Sequence, residues 1–337
     1  MSRRRLSKNQ RRRIQQRQSD KLSSMDADAT VNSAICGATV VTHYGVQLDV
    51  VRDEHPDELV RCVPRQNLAA MVVGDRVAVE SVVQENQKEQ FVITAIGPRE
   101  SLLERPDPYG KMKPIAANVD QILLVVAPVP TPSTALIDRY IAAIELADLK
   151  AVLVFNKLDL WLATPERSAL LNALEGQYRE LKYSTVRCSA KASDGMEQLG
   201  EILMGRRSVF VGQSGVGKST LVNGLIPAAQ QSTKSISEKS DLGQHTTTLS
   251  KLFFLDGGGV IMDSPGIREF GLWHIDSDVL IRGFVEFDLA RLRCKFRNCT
   301  HRSEPGCAIL AGLQDGSLSH ERWKNYSVIL AGLDQKL

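Results

Sequence analysis

A glycine-rich run in the second half of this 337-residue chain has the spacing of a phosphate-binding loop. Gly212 and Gly217 enclose four residues and are followed by Lys218 and Ser219, which fits the pattern G-x-x-x-x-G-K-[ST]. The run follows a predicted strand and opens a predicted helix, so backbone N–H groups and a helix N-terminus face bound anionic oxygens. We expect Lys218 to pair with the β- and γ-phosphates of a nucleotide and the Ser219 hydroxyl to bind Mg²⁺. The predicted phosphate-contact residues are Gly212, Gln213, Ser214, Gly215, Val216, Gly217, Lys218, Ser219 and Thr220.

Two other segments resemble the motifs with which GTPases recognise guanine. Residues 156–159 read N-K-L-D, match N-K-x-D, and follow an apolar predicted strand, where loops of α/β sheets bind ligands. In this resemblance Asp159 accepts two hydrogen bonds from guanine, Asn156 holds base and loop together, and the stem of Lys157 covers the ring. Residues 189–191 read S-A-K and match the fifth GTPase motif, in which a backbone N–H meets the guanine carbonyl. The predicted base-contact residues are Asn156, Lys157, Asp159, Ser189, Ala190 and Lys191.

A fourth motif, D-x-P-G at residues 263–266, ends another predicted strand. By its resemblance to GTPases, Asp263 holds Mg²⁺ through water and the Gly266 N–H senses the γ-phosphate. The polar stretch before it leads into G-Q-H-T-T-T at residues 243–248. A threonine that reaches Mg²⁺ only when GTP is bound is what a switch loop requires. We assign this role to Thr247, with its two neighbouring threonines as alternatives.

Hydrolysis of GTP in such a site consists mainly of positioning and charge neutralisation. Two residues after Gly266 the chain has Arg268, whereas Ras-like proteins have their water-orienting glutamine there. We therefore predict slow intrinsic hydrolysis and assign His245 as the candidate water-positioning group, the alternative being an ordinary switch-loop contact. The predicted catalytic residues are His245, Lys218 and Thr247, and the predicted magnesium ligands are Ser219, Thr247 and Asp263.

Three thiols and one imidazole lie within fourteen residues near the C-terminus. Four ligands of this kind suit a closed tetrahedral Zn²⁺ site, which would be structural because no position is open. Three buried cysteines beside an unrelated histidine are the alternative. The predicted ligands are Cys294, Cys299, His301 and Cys307. The basic residues in and before this knuckle favour a surface facing nucleic acid; they are Arg291, Arg293, Lys295, Arg297 and Arg302.

The segment before these motifs predicts a small β-barrel. Apolar residues alternate with period two between about residues 34 and 96, broken by turn residues. The five predicted strands are 38–42, 45–51, 58–63, 76–83 and 90–95. Five strands in this length are typical of the oligonucleotide/oligosaccharide-binding (OB) barrel, and an SH3-like barrel is the alternative.

The rest of the chain predicts an α/β domain and then helices. Residues 98–114 contain four prolines and read as a linker. Apolar strands then alternate with helices up to about residue 262, which indicates a mostly parallel sheet covered on both faces. After about residue 276 the pattern is helical.

Charge and cysteine content limit the possible partners and the cellular compartment of the chain. Residues 1–21 hold nine lysines or arginines and one acid, although the whole chain has a net charge of only +3. We predict a basic disordered tail suited to phosphate backbones; a solubilising end and a transit peptide are the alternatives. No apolar run approaches the roughly 20 residues that span a bilayer, which argues against membrane insertion. Six cysteines without a disulfide-like pattern favour the cytoplasm.

The base motifs precede the phosphate loop, the switch threonine and D-x-P-G, whereas ordinary GTPases begin with the phosphate loop. The order predicts a circular permutation, which ties whatever follows residue 266 directly to a switch region. The predicted division is a basic tail (1–30), an OB-type barrel (31–97), a linker (98–114), a circularly permuted GTPase domain (115–273) and a helical zinc-knuckle domain (274–337).

A barrel, a permuted GTPase and a Cys-His-Cys knuckle in this order resemble the ribosome small subunit-dependent GTPase A family. The resemblance covers roughly residues 30–335 and rests on the motif order, G-x-H-T-T-T and the zinc spacing. It implies a GTPase that acts in late maturation of the small ribosomal subunit, binds its rRNA and is stimulated by it. We expect GTP or GDP with Mg²⁺, one structural Zn²⁺, and a cytoplasmic monomer. A GTP-dependent RNA-binding module with incidental hydrolysis, and a GTPase acting on messenger or transfer RNA, are the alternatives.

Overall fold

The computed structural model describes residues 35–66, 68–83, 89–107, 109–226, 250–264, 270–271, 275 and 277–334. The predicted basic tail and the residues His245, Thr247 and Gly266 lie outside these ranges. Within them, no helix combines the length and the apolar character that crossing a membrane requires.

Five strands near the start of the described chain close into a barrel. They are β1 (Ile35–His43), β2 (Leu48–Arg52), β3 (His55–Pro64), β4 (Arg76–Val83) and β5 (Glu89–Ile96). Strand β1 pairs with β2 and β4, β2 with β3, and β5 with β4 and, in parallel, with β3, so the ring of hydrogen bonds is complete. Alternate residues such as Val40, Val50 and Ile93 point inward and form a core of their own. The predicted barrel and its five strands are confirmed.

A β-hairpin occupies the segment that the prolines marked as a linker. Strands β6 (Leu102–Pro106) and β7 (Met112–Ala117) pair antiparallel in a separate two-stranded sheet. Proline is tolerated here because Pro114 lies next to the register shift at Leu103/Glu104 and outside the short bridge that Ala116 of β7 forms with Val73 on its other side. The hairpin packs because Leu103 and Ala116 are buried in the main core, the large hydrophobic cluster that also contains Ile122 and Ile141 of the following α/β part.

The α/β part is a six-stranded sheet with helices on both faces. Its strands are β8 (Gln121–Val126), β9 (Lys150–Phe155), β10 (Ser184–Arg187), β11 (Arg207–Val211), β12 (Ser250–Phe254) and β13 (Val260–Asp263). Their order is β10-β9-β8-β11-β13-β12, and all neighbours are parallel except β12, which runs antiparallel to β13. The central strand β8 is buried along its whole length, as a strand covered on both faces must be.

The helices of this part begin at capping residues that the sequence supplies. They are α1 (Thr134–Leu146), α2 (Leu158–Trp161), α3 (Pro165–Glu180), α4 (Met196–Leu203) and α5 (Lys218–Leu225). The Ser133 hydroxyl caps α1, while Thr164 caps α3 with proline at the first helical position. The predicted α/β sandwich is therefore confirmed.

The barrel and the α/β sheet are joined edge to edge. Strand β1 pairs antiparallel with β12, with Thr42 opposite Lys251 and His43 opposite Ser250, so both parts form one eleven-stranded sheet. The outward-facing barrel residue Val41 lies in the main core together with Leu252 of β12. The barrel is thus attached through backbone hydrogen bonds and a shared apolar core.

The described C-terminal part is helical: α6 (Ser277–Leu280), a 3₁₀ turn (Ile281–Gly283), α7 (Val285–Arg291), α8 (Ala308–Gln314) and α9 (His320–Asp334). Helix α9 packs on α1 through the fully buried Arg322, whose guanidinium donates to Asp138 of α1 and to Glu286 of α7. Asp138 also accepts hydrogen bonds from Tyr178 at 2.8 Å and Asn325 at 2.7 Å. Burial of these charges is tolerated because each is paired and hydrogen-bonded.

Candidate functional site

The phosphate loop leads from the carboxyl end of β11 into α5, as the sequence predicts. Lys218 is half-buried, and its Nζ donates to the carbonyl oxygens of Gly212 at 2.7 Å and Gln213 at 2.8 Å. Ser219 and Thr220 are exposed in the first turn of α5. The ammonium group is therefore held within the curve of the loop, beside the helix N-terminus, where an anion is favoured.

Two oxygen ligands of the type that Mg²⁺ prefers meet beside this loop. The Ser219 side chain and the Asp263 side chain, at the end of β13, line one small cavity of about 30 Å³. That volume exceeds the roughly 10–15 Å³ that one water needs, so a small ion or water has room there. Mg²⁺ binds hydroxyl and carboxylate oxygens and keeps several of its waters, so the pair fits the predicted ion.

The base-recognition loop is fastened directly to the phosphate loop. Asn156, which is only 2% exposed, donates from Nδ2 to the Val216 carbonyl at 2.8 Å and accepts from Ala190 N at 3.4 Å. Lys157 has a left-handed φ of 62°, and its Nζ donates to Val129 O at 2.8 Å and Gly215 O at 2.6 Å. These bonds fix the distance between the loops.

The contact between the loops requires glycine at position 217. Gly217 has a φ of +97°, and a Cβ built on it would lie 2.4 Å from Asn156 Nδ2. No side chain fits at that distance, and only glycine adopts this φ without strain. The last glycine of the phosphate loop is therefore needed for the base loop as well.

The carboxylate predicted to read guanine is exposed and oriented. Asp159 lies at the start of α2, and the buried Ser189 hydroxyl donates to its Oδ1 at 2.7 Å. The Ala192 N–H donates in turn to Ser189 Oγ at 3.4 Å. Lys191 is exposed beside this pair. The two base motifs, joined by Asn156 and Ala190, which lie 34 residues apart in the chain, form one surface that presents a fixed carboxylate.

The cysteine and histidine residues near the C-terminus form a compact cluster. The ligand atoms of Cys294, Cys299, His301 and Cys307 all lie within 4.8 Å of one another. His301 Nδ1 is 3.6 Å from the sulfur of Cys294 and 3.5 Å from that of Cys307, and these two sulfurs are 4.0 Å apart. A tetrahedral Zn²⁺ with ordinary bond lengths requires edges of about 3.5 Å for S–N and about 3.8 Å for S–S. The cluster therefore fits Zn²⁺.

Local hydrogen bonds and burial suit these groups to metal binding. The Ala308 N–H points at Cys294 Sγ at 3.4 Å and the Leu310 N–H at Cys307 Sγ at 3.5 Å, which stabilises thiolates. Burial lowers the pKa of His301, so its ring stays neutral and able to coordinate a metal at pH 7. Without an ion, burial and the neighbouring thiols raise the pKa of Cys299 to about 11, so metal binding must release protons.

Comparison with known proteins decides the family of the chain. Residues 96–273, more than half of the chain, match the family model described as RsgA GTPase. A protein from Haemophilus influenzae (strain PittGG) is 41% identical over 99% of this chain and 97% of its own length, and one from Saccharophagus degradans is 44% identical over 99% and 98%. Both are named "Small ribosomal subunit biogenesis GTPase RsgA". The chain belongs to the RsgA GTPase family.

Two solved structures agree with this assignment. YjeQ from Thermotoga maritima is 32% identical, with a TM-score of 0.71, and the match covers 89% of this chain and 98% of that one. YloQ, described as a circularly permuted GTPase, is 25% identical, with a TM-score of 0.72, covering 92% and 99%. As a member of the RsgA GTPase family the chain is a GTP hydrolase with the permuted motif order that its sequence predicts.

The geometry adds contacts of this RsgA GTPase family member that its sequence did not indicate. The motifs predicted Ser189 only as part of S-A-K, whereas its hydroxyl orients Asp159. Val129 O, which receives Lys157, lies in a loop that no motif marks. Backbone acceptors leave no residue-type signal, so sequence patterns could not have found this second contact.

Proposed function

We propose that this GTPase acts on the small ribosomal subunit during its late maturation, hydrolysing GTP to GDP and phosphate with stimulation by the subunit. The observation that carries the proposal is the joining of the phosphate loop and the base loop into one site, in a chain whose relatives are named for small-subunit biogenesis and match 99% of it. A GTPase whose intrinsic activity is low needs a partner that completes its site. The subunit would be that partner.

In this proposal the base loop recognises guanine and the phosphate loop binds and neutralises the phosphates. Asp159, held by Ser189, accepts hydrogen bonds from the guanine N–H groups, and adenine has no matching donors. The phosphate loop surrounds the α- and β-phosphates, and Lys218 neutralises charge that develops on the β- and γ-phosphates during in-line attack by water. Ser219, Asp263 and Thr247 would hold Mg²⁺, which would supply further charge neutralisation. His245 positions the attacking water.

The Cys-His cluster and the basic residues complete the proposal. The four ligands would hold a Zn²⁺ ion that would stabilise the segment between α7 and α8, which has little regular structure, so the role of the ion would be structural. Arg293, Lys295, Arg297 and Arg302 are exposed around this cluster, on a surface suited to the phosphates of rRNA. The chain would work as a cytoplasmic monomer, with the basic tail adding to the attraction.

GTP turnover by the purified protein, with and without small ribosomal subunits, tests the proposal. We expect strong stimulation by small subunits and weak stimulation by large ones, with no turnover in Lys218→Ala under either condition. His245→Ala is expected to lose most of the stimulated turnover while keeping its affinity for GTP. Tight GTP binding without stimulation by small subunits would refute the proposed partner and leave the GTPase assignment standing.

A further inference from the structure

One strand belongs to both the barrel and the nucleotide site. Strand β12 pairs with β1 of the barrel on one side and with β13 on the other. The registers place Lys251 between Thr42 of the barrel and Asp263, the predicted magnesium ligand. The backbone of one residue therefore separates the barrel from the predicted magnesium ligand.

A side-chain hydrogen bond links the same two strands where they meet the nucleotide site. Ser250 is the first residue of β12, pairs with His43 of β1, and donates from Oγ to Ser264 Oγ at 2.7 Å. Ser264 is only 3% exposed and follows Asp263 directly. Ser264 is buried and Ser250 is partly exposed, so this bond is partly shielded from competing water and restrains the chain next to Asp263.

The barrel touches β13 at a second point, through the turn before β4. Asn118 Nδ2 donates to Gly74 O at 2.8 Å, and a Cβ built on Gly74 would lie 2.7 Å from Met262 Cε and 2.2 Å from Ala117 O. Met262 is the residue before Asp263. The turn is thus packed without a gap against the strand that carries the predicted magnesium ligand.

We infer that Ser250 and Ser264 are positioning residues that couple a partner bound to the barrel with the Asp263 end of the nucleotide site. The inference rests on the proposed function, since the partner is the small subunit, and it adds a contact of that subunit with the barrel because closed five-stranded barrels of the OB type bind nucleic acid. The barrel and β12 share one sheet, so a partner that shifts the barrel shifts β12 and, through the hydroxyl pair, the backbone at Asp263. Coupling of this kind is reciprocal, so GTP changes the affinity for the partner by the factor with which the partner changes the affinity for GTP.

The test compares the full-length protein with Ser250→Ala. Intrinsic GTP turnover and the dissociation constants for GTP and GDP are expected to stay within about twofold, because Ser250 does not contact the predicted ligand positions. The kcat with saturating small subunits is expected to fall about fivefold, the contribution of one hydrogen bond of ordinary net strength, while the KM for subunits stays unchanged. Ser250→Thr keeps the hydroxyl on a β-favouring side chain and is expected to restore the stimulation.

Ser208→Ala is the matched control. Ser208 is fully buried in β11 of the same sheet, and its hydroxyl accepts a hydrogen bond from Gln121 Nε2 at 3.0 Å, away from the junction between β1 and β12. It is expected to leave the stimulated kcat unchanged. Ser264→Ala is expected to lower the stimulated kcat, and the double variant with Ser250→Ala is expected to lower it no further, since both remove the same bond.

The outcomes separate the two proposals. If small subunits fail to stimulate the wild-type protein, the proposed function is wrong. If they stimulate wild type and Ser250→Ala equally, or if Ser208→Ala loses as much stimulation as Ser250→Ala, the coupling inference alone is wrong.

Discussion

The tight contact between the phosphate loop and the base loop predicts that two glycines of the phosphate loop differ sharply in how well they tolerate substitution by alanine. Gly215 and Gly217 both have positive φ, +83° and +97°, so alanine meets comparable backbone strain of about 1–2 kcal/mol at either position. A Cβ at Gly215 would lie 3.6 Å from Pro130 Cδ, which is ordinary contact. A Cβ at Gly217 would lie 2.4 Å from Asn156 Nδ2. Gly217→Ala must therefore displace Asn156 as well.

The displacement has a cost that the structure defines. Moving Asn156 breaks its 2.8 Å hydrogen bond to Val216 O, and both groups are buried. A buried polar group left without a partner costs about 1–3 kcal/mol. A bound nucleotide contacts both loops and needs them in this arrangement, whereas the free protein can relax, so binding must repay the cost. Because 1.4 kcal/mol corresponds to a factor of ten, Gly217→Ala is expected to bind GDP roughly 5- to 140-fold more weakly than Gly215→Ala. Titration with a fluorescent guanine nucleotide measures both dissociation constants directly.

A double variant makes the reasoning refutable. In Asn156→Ala the obstructing amide is absent, so adding Gly217→Ala is expected to weaken nucleotide binding only by the backbone strain that Gly215→Ala also shows. Equal losses for the two glycine variants in the wild-type background would show that the contact with Asn156 does not determine the requirement for glycine. Losses of nucleotide affinity that add fully in the double variant would lead to the same conclusion about the contact with Asn156.

Three further predictions concern stability and metal binding. Arg322→Met leaves Asp138 buried without its guanidinium partner and is expected to lower the free energy of unfolding by about 3–5 kcal/mol in urea titrations. Adding Asp138→Asn is expected to recover part of this loss. An unchanged urea midpoint in Arg322→Met would contradict the prediction. Cys294→Ser is expected to reduce the zinc content from one ion per chain to well below one, by elemental analysis, and full occupancy would rule out the proposed ligand set. Burial raises the pKa of Glu175, but hydrogen bonds from its partners, Arg187 foremost, outweigh it and hold the pKa below the usual value of 4.5. Glu175 therefore stabilises the fold above about pH 4.5 and loses this contribution as the pH falls through its lower folded pKa. The urea midpoints of wild type and Arg187→Met are expected to converge as the pH falls. Midpoints that stay equally far apart at every pH would contradict this prediction.

The sequence predicted those parts of the molecule that depend on short-range patterns. The glycine spacing predicted the phosphate loop because a strand, a tight turn and a helix follow each other locally, and β11 and α5 lie at the expected places. The four metal ligands were found for the same reason, since they lie within fourteen residues. Period-two alternation found the barrel strands. The base and phosphate motifs could be placed at one edge because parallel strands end together.

The sequence could not predict contacts between residues that are far apart in the chain. Nothing in β1 or β12 indicates that they pair, because either strand would also suit a sheet edge. Four prolines made residues 98–114 resemble a linker, although a two-stranded hairpin accepts proline wherever the N–H faces away from the partner strand. Arg322 looks like a surface residue in a helical pattern, and its burial follows from Asp138, which lies 184 residues earlier.

That long separation has a consequence for the order in which the chain can fold during synthesis. Helix α1 is made early, yet its Asp138 has its guanidinium partner only after Arg322 has been synthesised. Strand β1 likewise waits for β12, about two hundred residues later. Contacts of such high sequence separation form late. The chain through Asp263 can therefore be complete, with β12 already made, while Arg322 is still missing, and a ribosome that stops before residue 322 releases a GTPase whose Asp138 lacks its guanidinium partner.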